Sequence, residues 1–586
     1  MQLTALDWLL IGLFFLIFLI IGWRVAKRSG SNTKEFFLSG QDMPWWLLGI
    51  SMVATTFSAD TPNLVTDIVR QNGISGNWVW WAFLLTGMLT VFVYARLWRR
   101  SEVLTDLAFY EMRYSGKAAA FLRGFRALYL GVFFNVMIMA AVCLAGIKIG
   151  GILFDLAPWE AVVYASVITV LYSSLGGLRG VIFTDFLQFI VAMIGSIWAA
   201  YYVLNLPQVG GLDALLTHEN VVDKLNFLPD FTDRDTLWTL LLIPIAVQWW
   251  SVWYPGAEPG GGGYVAQRML SAKDERHAVG ATLLFNITHY ALRPWPWIII
   301  ALASLVVYPE LSDIKAAFPN STEGHDLGYS AMLTYLPPGL LGLVVSSLIA
   351  AFMSTISTHL NWGSSYIALD FYKRFVRPEA TEKQLVWVGR WSTVLLMILA
   401  GLLALQFESA LDTFNILLQI GAGTGLIFIL RWFWWRINAY SELTGMIVSF
   451  LVALAFEFFD FGFDATQKLL WGVGITTLSW ILVTLITRPT DEATLIQFYN
   501  KIIPYGSGWN GFKHKMKARG VALNTSKERF SSDLLLFLLG VVVVYCVLFG
   551  TGYVIYGQWL GATVLITASL IGTILMFKIF KNRTAR

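Results

Sequence analysis

Fifteen stretches of about 20 apolar residues, joined by short polar links, leave this chain one solvent that can accommodate it, a lipid bilayer. A soluble chain of 586 residues that is 57% hydrophobic and 13% charged could not hide so many such runs. Backbone polar groups in hydrocarbon must satisfy one another within each segment, so the expected fold class is an all-α polytopic membrane protein. The spans fall at roughly 6–26, 45–70, 76–97, 124–154, 158–176, 180–206, 236–256, 277–307, 338–370, 384–407, 410–436, 440–460, 466–487, 533–553 and 557–580. Alternate links are basic: Lys27/Arg28/Lys34, Arg96/Arg99/Arg100/Arg113/Lys117, Arg179, Arg268/Lys273/Arg276, Lys373/Arg374/Arg377, Arg431/Arg436, the 488–531 loop and the tail from Lys578. The intervening links are neutral or acidic, as with Asp213 to Asp235 and Glu310 to Asp326. That alternation predicts an integral plasma (inner) membrane protein with its amino terminus outside and its carboxyl terminus in the cytoplasm, which requires an odd number of spans.

The net charge of +4 is therefore a topological signal and does not indicate a nucleic-acid partner. Cys143 and Cys546 lie far apart in apolar runs and imply neither a disulfide framework nor a metal cluster. The first run has its bases after it, not before, and reads as a retained helix instead of a signal peptide. The 488–531 loop reads as a solvated basic cytoplasmic face or a lipid-headgroup contact.

Within this apolar background the polar chemistry stands out. In Ala351-Phe352-Met353-Ser354-Thr355-Ile356-Ser357-Thr358, positions 351, 354, 355 and 358 share one helical face, with Ser357 beside it. Uncharged hydroxyl and carbonyl oxygens suit a hard monovalent cation that must be bound and released. The bland alternative is that these hydroxyls bond their own i−4 carbonyls or a neighbouring helix. The second span contains Ala54-Thr55-Thr56-Phe57-Ser58-Ala59-Asp60-Thr61-Pro62, where proline predicts a break in the helix. The seventh ends at Trp249–Pro259 followed by Gly260–Gly263, a second break. Two interrupted segments five helices apart with opposite topology are the trace of an inverted-repeat transporter.

Five ionisable residues in or near the spans need accounts. Asp185 lies near the cytoplasmic end of its span and is either an interfacial carboxylate paired with Arg179 or an ion ligand. Arg293, deep in the eighth span, needs a partner, either Glu258 or a carboxylate on the solute. Lys148 is expected to snorkel from a helix end. His289 and His359 read as hydrogen-bonded core residues and not as metal or haem ligands.

These residues resemble the sodium/solute symporter family, which includes sodium–glucose, sodium–proline, pantothenate and sialic-acid carriers. The resemblance covers roughly residues 36–440. It rests on Phe37-Leu38-Ser39-Gly40 with Pro44-Trp45-Trp46, Gly176-Gly177-Leu178 with Thr184-Asp185 and Gln188, Gln267-Arg268, Asn361 with Asp370-Phe371-Tyr372-Lys373, and Phe433-Trp434-Trp435-Arg436. It implies a five-plus-five inverted repeat with broken first and sixth core helices. The corresponding division is an extra helix in 1–35, a first repeat in 36–206, a second in 207–440, and four added helices in 441–586. The family's sodium site would fall on the carbonyls of Ala54, Phe57 and Ala351 and the hydroxyls of Ser354 and Thr355. A second sodium, held by some members, would fall on Asp185, Ser354, Ser357 and Thr358. Solute contacts would fall on Thr56, Ser58, Thr61, Phe83, Asn286 and Gln419. Sugar carriers have a glutamine and an acid where this chain has Thr61 and Leu84, and a lysine where it has Asn286. The arginine of sialic-acid carriers has no counterpart near Phe133–Asn135.

The function implied is sodium-coupled symport of a small polar solute (sugar, amino acid or carboxylate) by alternating access, without enzymatic activity or a cofactor other than sodium as coupling ion. A membrane sensor on the same fold is the alternative, and it predicts an appended signalling domain.

Overall fold

The computed structural model describes residues 3–29, 33–252, 258–319, 324–407, 421, 423–525 and 530–584, and it is helical almost throughout. Among them, ten helices are long and apolar enough to cross a membrane, from Ile74–Ser101 to Trp559–Lys581. The other expected spans take different forms. The first is the Ala5–Ser29 helix, and the second is two half-helices, Trp45–Thr56 and Asp60–Asn72. The spans expected at 158–176 and 180–206 are the two helical segments of Pro158–Leu204, separated at Gly177, whose φ of 56° and ψ of −168° are not helical. The run at 236–256 is helical from Arg234 to Ala246, with a π-type turn at Trp238–Leu242, and continues as a 3-10 turn at Gln248–Trp250. Of that at 410–436, residues 410–420 and 422 lie outside the described residues, and the Gly425–Leu430 helix follows.

Each break follows from local chemistry. At Phe57–Ala59 the helix stops and restarts at Asp60, with Pro62 in the first turn of the new half-helix, where its missing N–H is not needed. The second break ends in a turn through Gly260 and Gly261, both at φ of 85°, a region that excludes most side chains. That turn lies against the Ile74–Ser101 span, where Trp98 Nε1 donates to the Gly260 carbonyl at 2.7 Å, and it starts the Gly263–Ser271 helix.

The Leu340–Ser365 helix lies at the centre, packed on Pro158–Leu204, on Ala5–Ser29 and on the Glu382–Ala404 helix. Its N-terminal amides are satisfied from another element: Asp7 accepts from the amides of Gly339 at 2.7 Å and Gly342 at 2.8 Å. A carboxylate there also complements the helix dipole. Gly342 permits the approach, since a Cβ would sit 2.5 Å from the Asp7 Cα.

Two expectations change here. Lys148 does not snorkel; it is buried and donates to Asp326 Oδ2 at 2.7 Å, because the helix bearing it is enclosed by protein and not by lipid. The 488–531 loop is more than a solvated face. Its helices Glu492–Ile502 and Asn510–Ala518, with the Ser507–Trp509 turn between them, bury Phe498, Tyr499, Trp509 and Phe512. The Phe498 and Trp509 rings flank the Arg113 guanidinium, and Trp509 Nε1 donates to the Trp432 carbonyl at 2.9 Å. Five lysines make this loop basic, but its apolar face is taken up by docking.

Candidate functional site

The end of the Trp45–Thr56 half-helix leaves backbone carbonyls without intrahelical donors, and the hydroxyl face of Leu340–Ser365 packs directly against it. Thr355 Oγ1 donates to the Thr55 carbonyl at 2.8 Å, and Thr358 Oγ1 lies 3.1 Å from Thr55 Oγ1. Ala54, Phe57, Ala351, Ser354 and Thr355 are all buried. A hydroxyl that donates its proton keeps lone pairs for a cation, so these bonds leave the oxygens competent as ligands. Of the two bland alternatives, bonding within the helix does not describe Ser354, Thr355 and Thr358, whereas bonding to a neighbouring helix does, since their partners lie on other elements.

Asp185 joins the same cluster. Its carboxylate accepts from Ser354 Oγ at 2.6 Å and from Ser51 Oγ at 2.5 Å. The pairing with Arg179 is not formed: Arg179 donates to Asp42 and to the Ser39 carbonyl, each at 2.6 Å, because the Gly177 turn carries it to the Phe37–Asp42 segment. Asp185 faces Arg268 instead, at 3.4 Å. Ser357 stays out of this group, its hydroxyl bonded to the Ser354 carbonyl at 3.1 Å.

The expected Glu258–Arg293 pair is also absent. Glu258 is bound by Arg126 and lies 3.7 Å from Arg431, which in turn reaches Glu442 at 3.5 Å. The glycine turn after Glu258 lies against Thr90, Tyr94 and Trp98 of the Ile74–Ser101 span. Arg293 donates to Thr56 Oγ1 at 3.1 Å, lies 3.3 Å from His289 Nε2 and stands over the Trp297 ring. His289 Nδ1 lies 2.9 Å from the same Thr56 hydroxyl, and His359 Nδ1 is 2.5 Å from Asn135 Oδ1. Both histidines are thus hydrogen-bonded within the bundle.

Of the solute-contact positions, Phe83 and Asn286 line one small cavity with Thr86, Thr282, Tyr264 and Tyr290, and Glu258 closes one side. Asn286 Oδ1 has no hydrogen-bond partner there. Thr56, Ser58 and Thr61 lie at the first break, where Thr61 Oγ1 donates to the Thr56 carbonyl at 3.3 Å. Gln419 is outside the described residues. Sequence reasoning missed Ser51, Thr55 and Arg126 as site residues. Ser51 and Thr55 were legible at i and i+4 on one helical face; Arg126 carried no local signal. In the link after Ser101, Asp106 accepts from the Gly263 amide at 2.7 Å and from Tyr366 Oη at 2.5 Å. Burial pushes its carboxyl above the usual range, and these bonds oppose the rise.

A half-helix end facing a hydroxyl-bearing helix in a bundle of apolar spans is an arrangement that suits an ion-coupled membrane carrier. The family model of the sodium:solute symporter family matches residues 36–449, and the chain belongs to that family. It is 23% identical to a sodium/glucose cotransporter of Vibrio parahaemolyticus, over 84% of this chain and 92% of that protein. It is 27% identical to a sodium/myo-inositol cotransporter of Oryctolagus cuniculus, over 77% of this chain and 69% of that one. Its fold matches that of a solved Na+-coupled sialic acid symporter with a TM-score of 0.65 and 19% identity, covering 84% of this chain and all of the other.

Proposed function

We propose that this chain carries a small polar solute inward together with sodium, by alternating access across the plasma membrane. The observation that carries the reading is the junction of Thr355 with the Thr55 carbonyl, beside Ala54, Phe57, Ala351 and Ser354. Sodium held there ties the broken first core helix to the Leu340–Ser365 helix. It raises affinity for the solute, and by linkage the solute raises affinity for sodium equally. The two breaks support the five-plus-five repeat in 36–206 and 207–440, and the basic links support an outside amino terminus. The relatives' names favour a hydroxylated solute such as a sugar or inositol, and the unpartnered Asn286 Oδ1 beside Tyr264 and Tyr290 is suited to bonding one.

Uptake by proteoliposomes of a panel of sugars, inositols, amino acids and carboxylates, with and without an inward sodium gradient, tests this. One class should accumulate only with the gradient. Accumulation of every accepted solute independent of sodium rejects the proposal.

A further inference from the structure

Between Ala5–Ser29, Asn135–Phe154, the first segment of Pro158–Leu204 and the central Leu340–Ser365 helix lies a cavity of about 430 Å³ that the ion and solute chemistry does not use. It falls in the size range of small-molecule sites, about 300–1,000 Å³. Gly146 and Ala165 leave it hollow, and Val345, Leu348 and Met353, none more than 3% exposed, form its inner wall. Trp8 and Tyr164, each 56% exposed, also line it, so it opens onto the outer surface of the spans, where lipid lies. At one end Trp8 stands beside Phe154, ring centroids 6.2 Å apart, and Leu156 follows in the link beyond. The other end reaches Ala59, in the break of the first core helix. Val345 and Met353 are eight residues apart, about 12 Å of helix at 1.5 Å per residue. One leaflet of a hydrocarbon core about 30 Å thick is about 15 Å deep, and the broken helices of carriers meet near the midplane. The cavity is therefore about one leaflet long. Its lining offers water almost no hydrogen-bond partner, and an empty space would forfeit dispersion contacts on every wall. A single hydrocarbon chain matches it in chemistry, length and access.

We propose that this cavity seats one acyl chain of a phospholipid from the leaflet on the amino-terminal side, lying along the Leu340–Ser365 helix with its methyl end at Ala59. Trp8, Phe154 and Leu156 mark the end at which the chain enters from its glycerol. At the other end the chain meets Ala59, between the two half-helices, and Met353, next to Ser354. These belong to the two elements that Thr355 joins. A bound lipid is thus placed to hold the broken helix against the Leu340–Ser365 helix from the membrane side, whatever solute is carried.

Photolabelling in a bilayer decides it. The full-length protein is reconstituted in phosphatidylcholine doped with a phosphatidylcholine bearing a diazirine near the methyl end of one acyl chain, then irradiated, digested and mapped by mass spectrometry. Leu348 and Met353, which the protein shields from bulk lipid, should be labelled together with the exposed Leu478 and Leu570, and the buried Val344, outside the cavity, should not. A second probe with its diazirine near the glycerol should move the cavity labelling to Phe154 and Leu156. Ala165→Trp fills the space, so labelling of Leu348 and Met353 should be lost while that of Leu478 and Leu570 is unchanged. Labelling of Leu348 and Met353 no greater than that of Val344 overturns the proposal, as does labelling that persists in a folded Ala165→Trp. Cross-linking of two copies through Trp8 and Tyr164, with the cavity unlabelled, assigns the space to a second copy and also overturns it. The two probes on the wild type decide even where the variant does not fold.

Discussion

Replacing Thr355 by Val removes one hydroxyl and almost no volume, at the point where the broken first helix meets the Leu340–Ser365 helix. Thr355 is fully buried, and its single described side-chain bond is the one to the Thr55 carbonyl at 2.8 Å. Losing that bond leaves a buried acceptor unsatisfied, which costs about 1–3 kcal/mol of stability. If the hydroxyl also ligates sodium, the ion loses an oxygen contact comparable to a hydrogen bond to a charged group, about 1.5–3 kcal/mol. At tenfold per 1.4 kcal/mol, sodium affinity should fall about 10- to 150-fold. Thr355→Ser keeps the oxygen and should stay within about threefold of the wild type, a change below 0.7 kcal/mol on the same scale. The assay is sodium titration of the purified protein, with the thermal midpoint recorded in sodium-free buffer. A Val variant with a lowered midpoint but unchanged sodium affinity refutes the argument, for the hydroxyl would then serve only to join two helices.

Glu258→Gln leaves Arg126 buried without its carboxylate, while Arg431 keeps Glu442, and should destabilise the protein by about 3–5 kcal/mol; adding Arg293→Gln should be additive to within about 0.5 kcal/mol, since Glu258 and Arg293 are bonded to different residues. A non-additive cycle in the thermal or denaturant midpoints would restore the pair that the structure separates. Lys148→Met should cost about 3–5 kcal/mol by stranding Asp326, and Lys148→Met with Asp326→Leu should recover most of the loss; failure to recover would show that the pair is not the reason for the burial. An alanine Cβ at Gly87 would sit 1.7 Å from Asn286 Oδ1, so Gly87→Ala should depress solute uptake while leaving sodium affinity of the empty protein unchanged. Equal loss of both would place Asn286 outside the solute cavity.

What the chain determined by itself is whatever depends on near neighbours along it. Apolar length sets the spans, the i, i+3, i+4 and i+7 spacing puts Ala351, Ser354, Thr355 and Thr358 on one face, and proline and glycine mark both breaks. Each of these is a matter of covalent geometry and hydrogen bonding within a few residues. The 488–531 loop shows the limit of composition: its charge was visible, but the docking of Phe498 and Trp509 beside Arg113 depends on a surface formed elsewhere.

Tertiary structure alone decided which buried charge meets which. Arg126 and Glu258 are 132 residues apart, Lys148 and Asp326 are 178, and Arg268 and Asp185 are 83. Advancing one residue along a helix turns a side chain by about 100°, so the partner of a buried charge is set by helix rotation and packing. That is why Glu258 and Arg293, each plausible for the other in sequence, lie on different networks. It is also why Arg268, legible only as one half of a short motif, stands against Asp185 at the centre of the site.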